Sequence, residues 1–88
     1  MSKKFDVYTK TGCPYCDKAK DLLKRKGYEY NEFTVGSAGN SKDDIQLRIN
    51  SLGLSVPVKT VPQIFFKADS KEQYVGGYTE LERSIDSF

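Results

Sequence analysis

The 88 residues carry 14 Lys and Arg against 12 Asp and Glu, a formal charge of +2, too small an excess to argue by itself for a nucleic-acid partner. A chain of this length is expected to form one domain over residues 1–88, burying only about 60 % of the surface its unfolded form exposes. No apolar run reaches the ~18 residues of a membrane span, and residues 1–6 lack the apolar stretch of a secretory signal. With two cysteines and no disulfide framework, the expected compartment is the reducing cytoplasm, where a cysteine pair is catalytic or metal-binding rather than structural.

In chain order, residues 5–9 alternate weakly between apolar and polar and predict a first strand. Residues 10–12 form a loop. Pro14 suits the first turn of a helix, where its missing N–H has no intrahelical partner to lose. That helix is expected to run to about Lys26, with Cys16, Ala19, Leu22 and Leu23 on one face and Gly27 as its stop. Residues 28–35 read as a second strand, parallel to the first by the right-handed βαβ rule. After the loop at 36–40, Ser41 reads as the N-cap of a second helix whose stripe is Ile45, Ile49 and Leu52 and whose end is Gly53. Residues 63–67 predict an apolar central strand. Residues 68–72 turn the chain and residues 73–75 return antiparallel. Gly76-Gly77 breaks that strand. Thr79-Glu80-Leu81-Glu82 reads as a capping box with Thr79 as the cap, opening a last helix with Leu81, Ile85 and Phe88 as its apolar stripe.

The chemistry is concentrated in Thr11-Gly12-Cys13-Pro14-Tyr15-Cys16. Cys13 stands where a strand hands over to a helix, and the unpaired N–H groups of the first turn favour a thiolate there. Lys10 adds positive charge nearby. Cys16 lies about one turn on, with an expected Cα separation of roughly 5 Å, inside the disulfide range. Cys13 is the expected attacking thiol and Cys16, on the apolar face, the resolving one. With no histidine in the chain, a Cys–His protease pair is excluded. A zinc site needs four ligands and would have to draw on carboxylates or a second chain. Inert core thiols are the other alternative, against which Gly12 and Pro14 favour exposure of Cys13.

Cys13-Pro14-Tyr15-Cys16 resembles the active site of dithiol glutaredoxins. Thr60-Val61-Pro62 is similar to their Thr-Val-Pro loop, and Gly76-Gly77-Tyr78-Thr79 to their Gly-Gly motif, in the same order and with similar spacing. The likeness covers nearly the whole chain, is weakest over residues 36–59, and fits compact members of bacterial or bacteriophage type. Thioredoxins typically carry Trp-Cys-Gly-Pro-Cys, and this chain has no Trp. The monothiol Cys-Gly-Phe-Ser pattern does not fit either.

The resemblance implies a thioredoxin-like α/β fold, a four-stranded mixed sheet flanked by three helices in the order β-α-β-α-β-β-α. It implies a cis Pro62 facing the cysteines, a redox disulfide between Cys13 and Cys16, and glutathione as reducing co-substrate with no metal. Lys10 would meet a glutathione carboxylate, Tyr15 would line the groove, and Lys59, just before the Thr60-Val61-Pro62 loop, would bind the glycyl carboxylate. Val61 would offer main-chain groups to the cysteinyl part. Gly77, Tyr78 and Thr79 would hold the γ-glutamyl end. Thr79 brings no charge to the glutamyl amine, for which Glu80 or Glu82 is the carboxylate at hand. The implied activity is reduction of protein disulfides and glutathione mixed disulfides by a monomer, with ribonucleotide reductase as one client. Two alternatives stay open: a carrier of a glutathione-ligated iron–sulfur cluster, and a thioredoxin recycled by a reductase.

Overall fold

The structure, a computed structural model, describes residues 3–36, 41–58 and 61–88. The chain runs through β1 (Lys3–Thr9), α1 (Pro14–Arg25), β2 (Glu29–Thr34), α2 (Lys42–Ser51), β3 (Gln63–Ala68), β4 (Lys71–Gly76) and α3 (Tyr78–Ser84), then a short 3-10 turn, Ile85–Ser87. Among the described residues the strands form one mixed sheet in the order β2-β1-β3-β4. β1 is parallel to β2 and antiparallel to β3, and β3 is antiparallel to β4.

β1 and β3 take the centre because they are apolar on both faces. Phe5, Val7, Ile64 and Phe66 pack under α1 and α3 with Ala19, Leu22, Leu23, Leu81 and Ile85. Tyr8 and Phe65 face the other way, against Ile45 and Ile49 of α2. The weak alternation expected of the first strand is therefore not a wet face. All of residues 5–9 are buried, Asp6 included at 4 % exposure.

The helices begin and end largely where their caps predict. Ser41 caps α2, accepting from the Asp44 N–H while the Asp44 carboxylate accepts from the Ser41 N–H. Gly27 and Gly53 follow α1 and α2 with φ of +78° and +81°. The hairpin is tighter than the sequence suggests. Ala68 pairs directly with Lys71, so Asp69 and Ser70 alone make the turn and β4 begins two residues earlier than expected. Asp69 adopts φ +56°, a left-handed conformation that Asp tolerates better than most residues. Phe88, expected in the apolar stripe of the last helix, is half-buried, its ring on Phe5 and Phe66. The Tyr28 hydroxyl donates to its main-chain oxygen at 2.6 Å.

Strand direction positions the site. β1 is antiparallel to β3, so its C-terminal end lies beside the start of β3, with Tyr8 opposite Gln63. The end of β4 comes to the same place, with Gly76 opposite Ile64. The Cys13 loop, the Val61-Pro62 turn and Gly77 therefore meet at one end of the sheet, although they are distant in sequence.

Candidate active site

Cys13 is the N-cap of α1. Its sulfur stands where a Ser or Asp oxygen usually stands, 3.2 Å from the Cys16 N–H that donates to it. Pro14 occupies the first helical position. Cys13 is half-buried and Cys16 is 1 % exposed. The two are joined by a disulfide, with Cα atoms 5.3 Å apart. Opening the bridge leaves the Cys13 sulfur with a main-chain donor and the positive end of a twelve-residue helix, surroundings that favour thiolate over thiol. Cys16 is held on the face that carries Ala19, Leu22 and Leu23.

The Val61–Pro62 bond is cis, as the resemblance implied. Pro62 is buried, and the Val61 carbonyl oxygen lies 3.6 Å from the Cys13 sulfur. A thiol there can donate to that oxygen. Gly77 packs against this turn, since a Cβ at Gly77 would lie 3.4 Å from the Pro62 carbonyl oxygen.

A cavity of about 300 Å³ opens beside the pair. Its wall is formed by Tyr15, Val61, Pro62, Gly77, Tyr78, Thr79 and Glu80, all seven of them residues singled out in the sequence. Tyr15 is 56 % exposed, its ring 6.1 Å from that of Tyr78 and 5.1 Å from the Lys18 ammonium. The Tyr78 hydroxyl donates to Glu82 at 2.9 Å, and this bond raises the Tyr78 pKa above its ordinary value. Lys10 is exposed in the loop before Cys13 and does not contribute to that wall. Lys59 and Thr60 lie outside the described residues.

The start of α3 corrects the sequence reading. Gly77 is the N-cap, and Thr79 is an exposed residue of the first turn. The Glu80 carboxylate accepts from the Gly77 N–H at 2.8 Å. To do so, the Glu80 side chain folds over Gly76, where a Cβ would meet its Cγ and Oε1 at 2.9 Å. Gly76 also has φ +120°, a conformation open to glycine and strained for other residues. Gly76→Ala is therefore expected to cost about 1–3 kcal/mol. Urea unfolding measures this, and a loss under ~0.5 kcal/mol, ordinary for a surface change, would show that the Gly76 backbone relaxes and Glu80 swings aside freely.

Beyond the cavity, the buried Thr9 hydroxyl donates to Glu32 at 2.8 Å, and Lys20 donates to the same oxygen at 3.0 Å. These bonds lower the Glu32 pKa, the one from Thr9 contributing most; the bond to Glu32 in turn raises that of Lys20 against the opposing pull of burial. The network ties α1 to both parallel strands one turn beyond Cys16. The 3.6 helical period places Lys20 above Cys16, but nothing local in the sequence joins it to Glu32.

Among the described residues, no group of three or more His, Cys, Asp or Glu is placed to hold a metal ion, and no helix is long and apolar enough to cross a membrane. Residues 6–70 match the family model described as Glutaredoxin. Glutaredoxin 1 of Escherichia coli is 35 % identical over 80 residues, covering 85 % of this chain and 84 % of that protein. Among solved structures, glutaredoxin 1 from Francisella tularensis complexed with cacodylate superposes with a TM-score of 0.74 at 30 % identity, covering 98 % of this chain and 95 % of that one. The solution structure of glutaredoxin from Brucella melitensis gives 0.64 at 36 % identity, covering 96 % and 79 %. With a Cys-x-x-Cys pair on a four-stranded mixed sheet, the chain belongs to the glutaredoxin family, thiol–disulfide oxidoreductases that use glutathione as co-substrate.

Proposed function

We propose that Cys13 is the nucleophile and Cys16 the resolving thiol in reduction of protein disulfides and glutathione mixed disulfides. The Cys13 thiolate attacks one substrate sulfur, the substrate disulfide breaks, and the other sulfur leaves as thiolate. Cys16 then attacks the Cys13 sulfur, closing the Cys13–Cys16 bond and releasing the second substrate thiol. Glutathione thiolate opens that bond at Cys13. A second glutathione attacks the bound one, leaving as glutathione disulfide and restoring the dithiol. Two electrons pass from two glutathiones to one substrate disulfide.

The observation that carries this reading is the placement of the half-buried Cys13 sulfur 3.6 Å from the carbonyl of Val61, a residue that lines the cavity of about 300 Å³. In this reading the Val61 main chain pairs with the cysteinyl part of glutathione, and Tyr15 and Pro62 form the walls of the groove. Gly77, Tyr78 and Thr79 hold the γ-glutamyl end, with the Glu80 carboxylate near its amine. Lys10, Lys59 and Thr60 complete the site, the two lysines meeting carboxylates. The protein works as a monomer in the cytoplasm, and ribonucleotide reductase is one of its clients.

Comparing electron donors tests the proposal. Glutathione with its own reductase is expected to sustain turnover of a glutathionylated peptide. Rapid reduction by a thioredoxin reductase with no response to glutathione would overturn it.

A further inference from the structure

The side chain of Gln46, on α2, reaches a stretch of chain that the site depends on. Its Oε1 accepts from the Val58 N–H at 3.0 Å, and its Nε2 donates to the Val56 carbonyl at 2.9 Å and to Asn50 Oδ1 at 3.2 Å. Accepting from one residue and donating to the residue two before it is what a neighbouring strand does for an extended segment. The side-chain amide thus stands in for a strand's peptide group. Both of its N–H bonds and its oxygen are engaged.

This clamp lies close in sequence to the cysteines' partner loop. Residues 53–57 are exposed, whereas Val58 packs on the Ile45, Ile49 and Phe65 cluster. Three residues further on is Val61, whose carbonyl lies 3.6 Å from the Cys13 sulfur. Three residues span at most ~11 Å even when fully extended, so Val61 is on a short tether. α2 itself is fixed to the sheet, since Arg48 bonds Asp6 on β1 and Glu72 on β4.

We infer that Gln46 is a positioning residue for the thiol–disulfide site, its amide holding the 56–58 segment so that the Val61–Pro62 turn presents its main chain to a peptide substrate beside Cys13. The inference rests on the role proposed above for Val61. Gln46 touches no substrate and does not activate Cys13, whose surroundings are set by the start of α1.

The test compares Gln46→Leu and Gln46→Glu with the wild type. Losing two neutral hydrogen bonds from the clamp is expected to raise KM for a glutathionylated peptide roughly five- to tenfold in Gln46→Leu. kcat and the alkylation rate of reduced Cys13 by iodoacetamide should stay within about twofold. Amide exchange at Val58 should quicken. Gln46→Glu keeps the acceptor for the Val58 N–H and loses the donor to Val56, so its KM should fall between the two. Faster Val58 exchange with unchanged KM in both variants would overturn the inference, as would unchanged Val58 exchange in Gln46→Leu. A fall in kcat and alkylation in step with the melting temperature would assign Gln46 a merely structural part and overturn it too. A wild type that leaves the glutathionylated peptide untouched sinks the parent reading, and the role of Gln46 with it. Val58 exchange would still report the clamp, so the two failures are distinguishable.

Discussion

Cys13→Ser is expected to reduce turnover of glutathionylated peptides and of protein disulfides by more than about a thousandfold, because the attacking sulfur is gone and a serine hydroxyl is a poor nucleophile without a base. The chain has no histidine to supply one. Serine is otherwise a gentle substitution here. Its oxygen can accept from the Cys16 N–H as the sulfur does at 3.2 Å, and Ser is a favoured N-cap, so the fold should hold or gain slightly. Cys16→Ser separates the two activities. Cys16 is buried, and only a resolving step needs it. The variant should keep removal of glutathione from mixed disulfides, where a second glutathione can do the resolving, and lose reduction of protein disulfides. Coupled assays on the two substrate types decide. Full activity in Cys13→Ser, or equal loss of both activities in Cys16→Ser, would overturn the assignment of roles.

The elements that surround this pair were legible for local reasons. Pro14 after Cys13, Ser41 three residues before Asp44, and Gly27 and Gly53 after their helices each act within one turn of chain, and each places a helix end as predicted. The start of α3 misled because two candidate boxes overlap. Thr79 with Glu82 satisfies the pattern on paper, but Glu80 reaches back to the Gly77 N–H through the space that Gly76 leaves empty. Glu82 instead receives the Tyr78 hydroxyl. A sequence pattern records spacing and is silent on which backbone can turn, and here the left-handed glycine decides.

The partners in the long-range polar networks were not legible. Asp6 in an otherwise apolar strand is a signal, since a carboxylate buried at the sheet centre needs a partner. The partner lies 42 positions away on α2, and no local periodicity points to it. The same holds for Gln46, whose bonds go to residues ten and twelve further on. The groove itself became readable only through the three motifs taken together. Each is weak alone, and strand direction then brings them to the same end of the sheet.

Arg48→Met should destabilise the fold by about 3 kcal/mol, near the lower end for breaking a buried ion pair from one side. The Arg48 guanidinium donates to Asp6 at 2.7 Å, to Glu72 through two nitrogens at 3.1 Å each, and to the Tyr8 hydroxyl at 3.0 Å, and lies 4.2 Å from the Phe65 ring centre. Burial pulls its pKa down, but the bonds to Glu72, Asp6 and Tyr8 outweigh this and raise it. Methionine preserves much of the packing on Phe65 and removes the charge. Asp6, with its side chain 6 % exposed, would then rely on Asn31 at 3.2 Å and on Lys67, half-exposed and 3.8 Å away. That partial compensation limits the cost. For a domain of this size it corresponds to a fall in Tm of roughly 12–24 °C. Acid should narrow the gap between wild type and variant. The bond from Arg48 holds the Glu72 pKa below its ordinary value, so its contribution is complete above the unfolded value and is lost as pH falls through the folded one. The gap should therefore shrink as the solution is acidified below the ordinary glutamate range. The double variant Asp6→Val with Arg48→Met removes the stranded carboxylate, and should be more stable than Arg48→Met alone, because an apolar replacement of a buried pair is less damaging than half of one. Urea unfolding of the three proteins measures both effects. A cost under ~1 kcal/mol for Arg48→Met, the range of an exposed pair, or a double variant less stable than the single, would show that the network is solvated and does not hold α2 to the sheet.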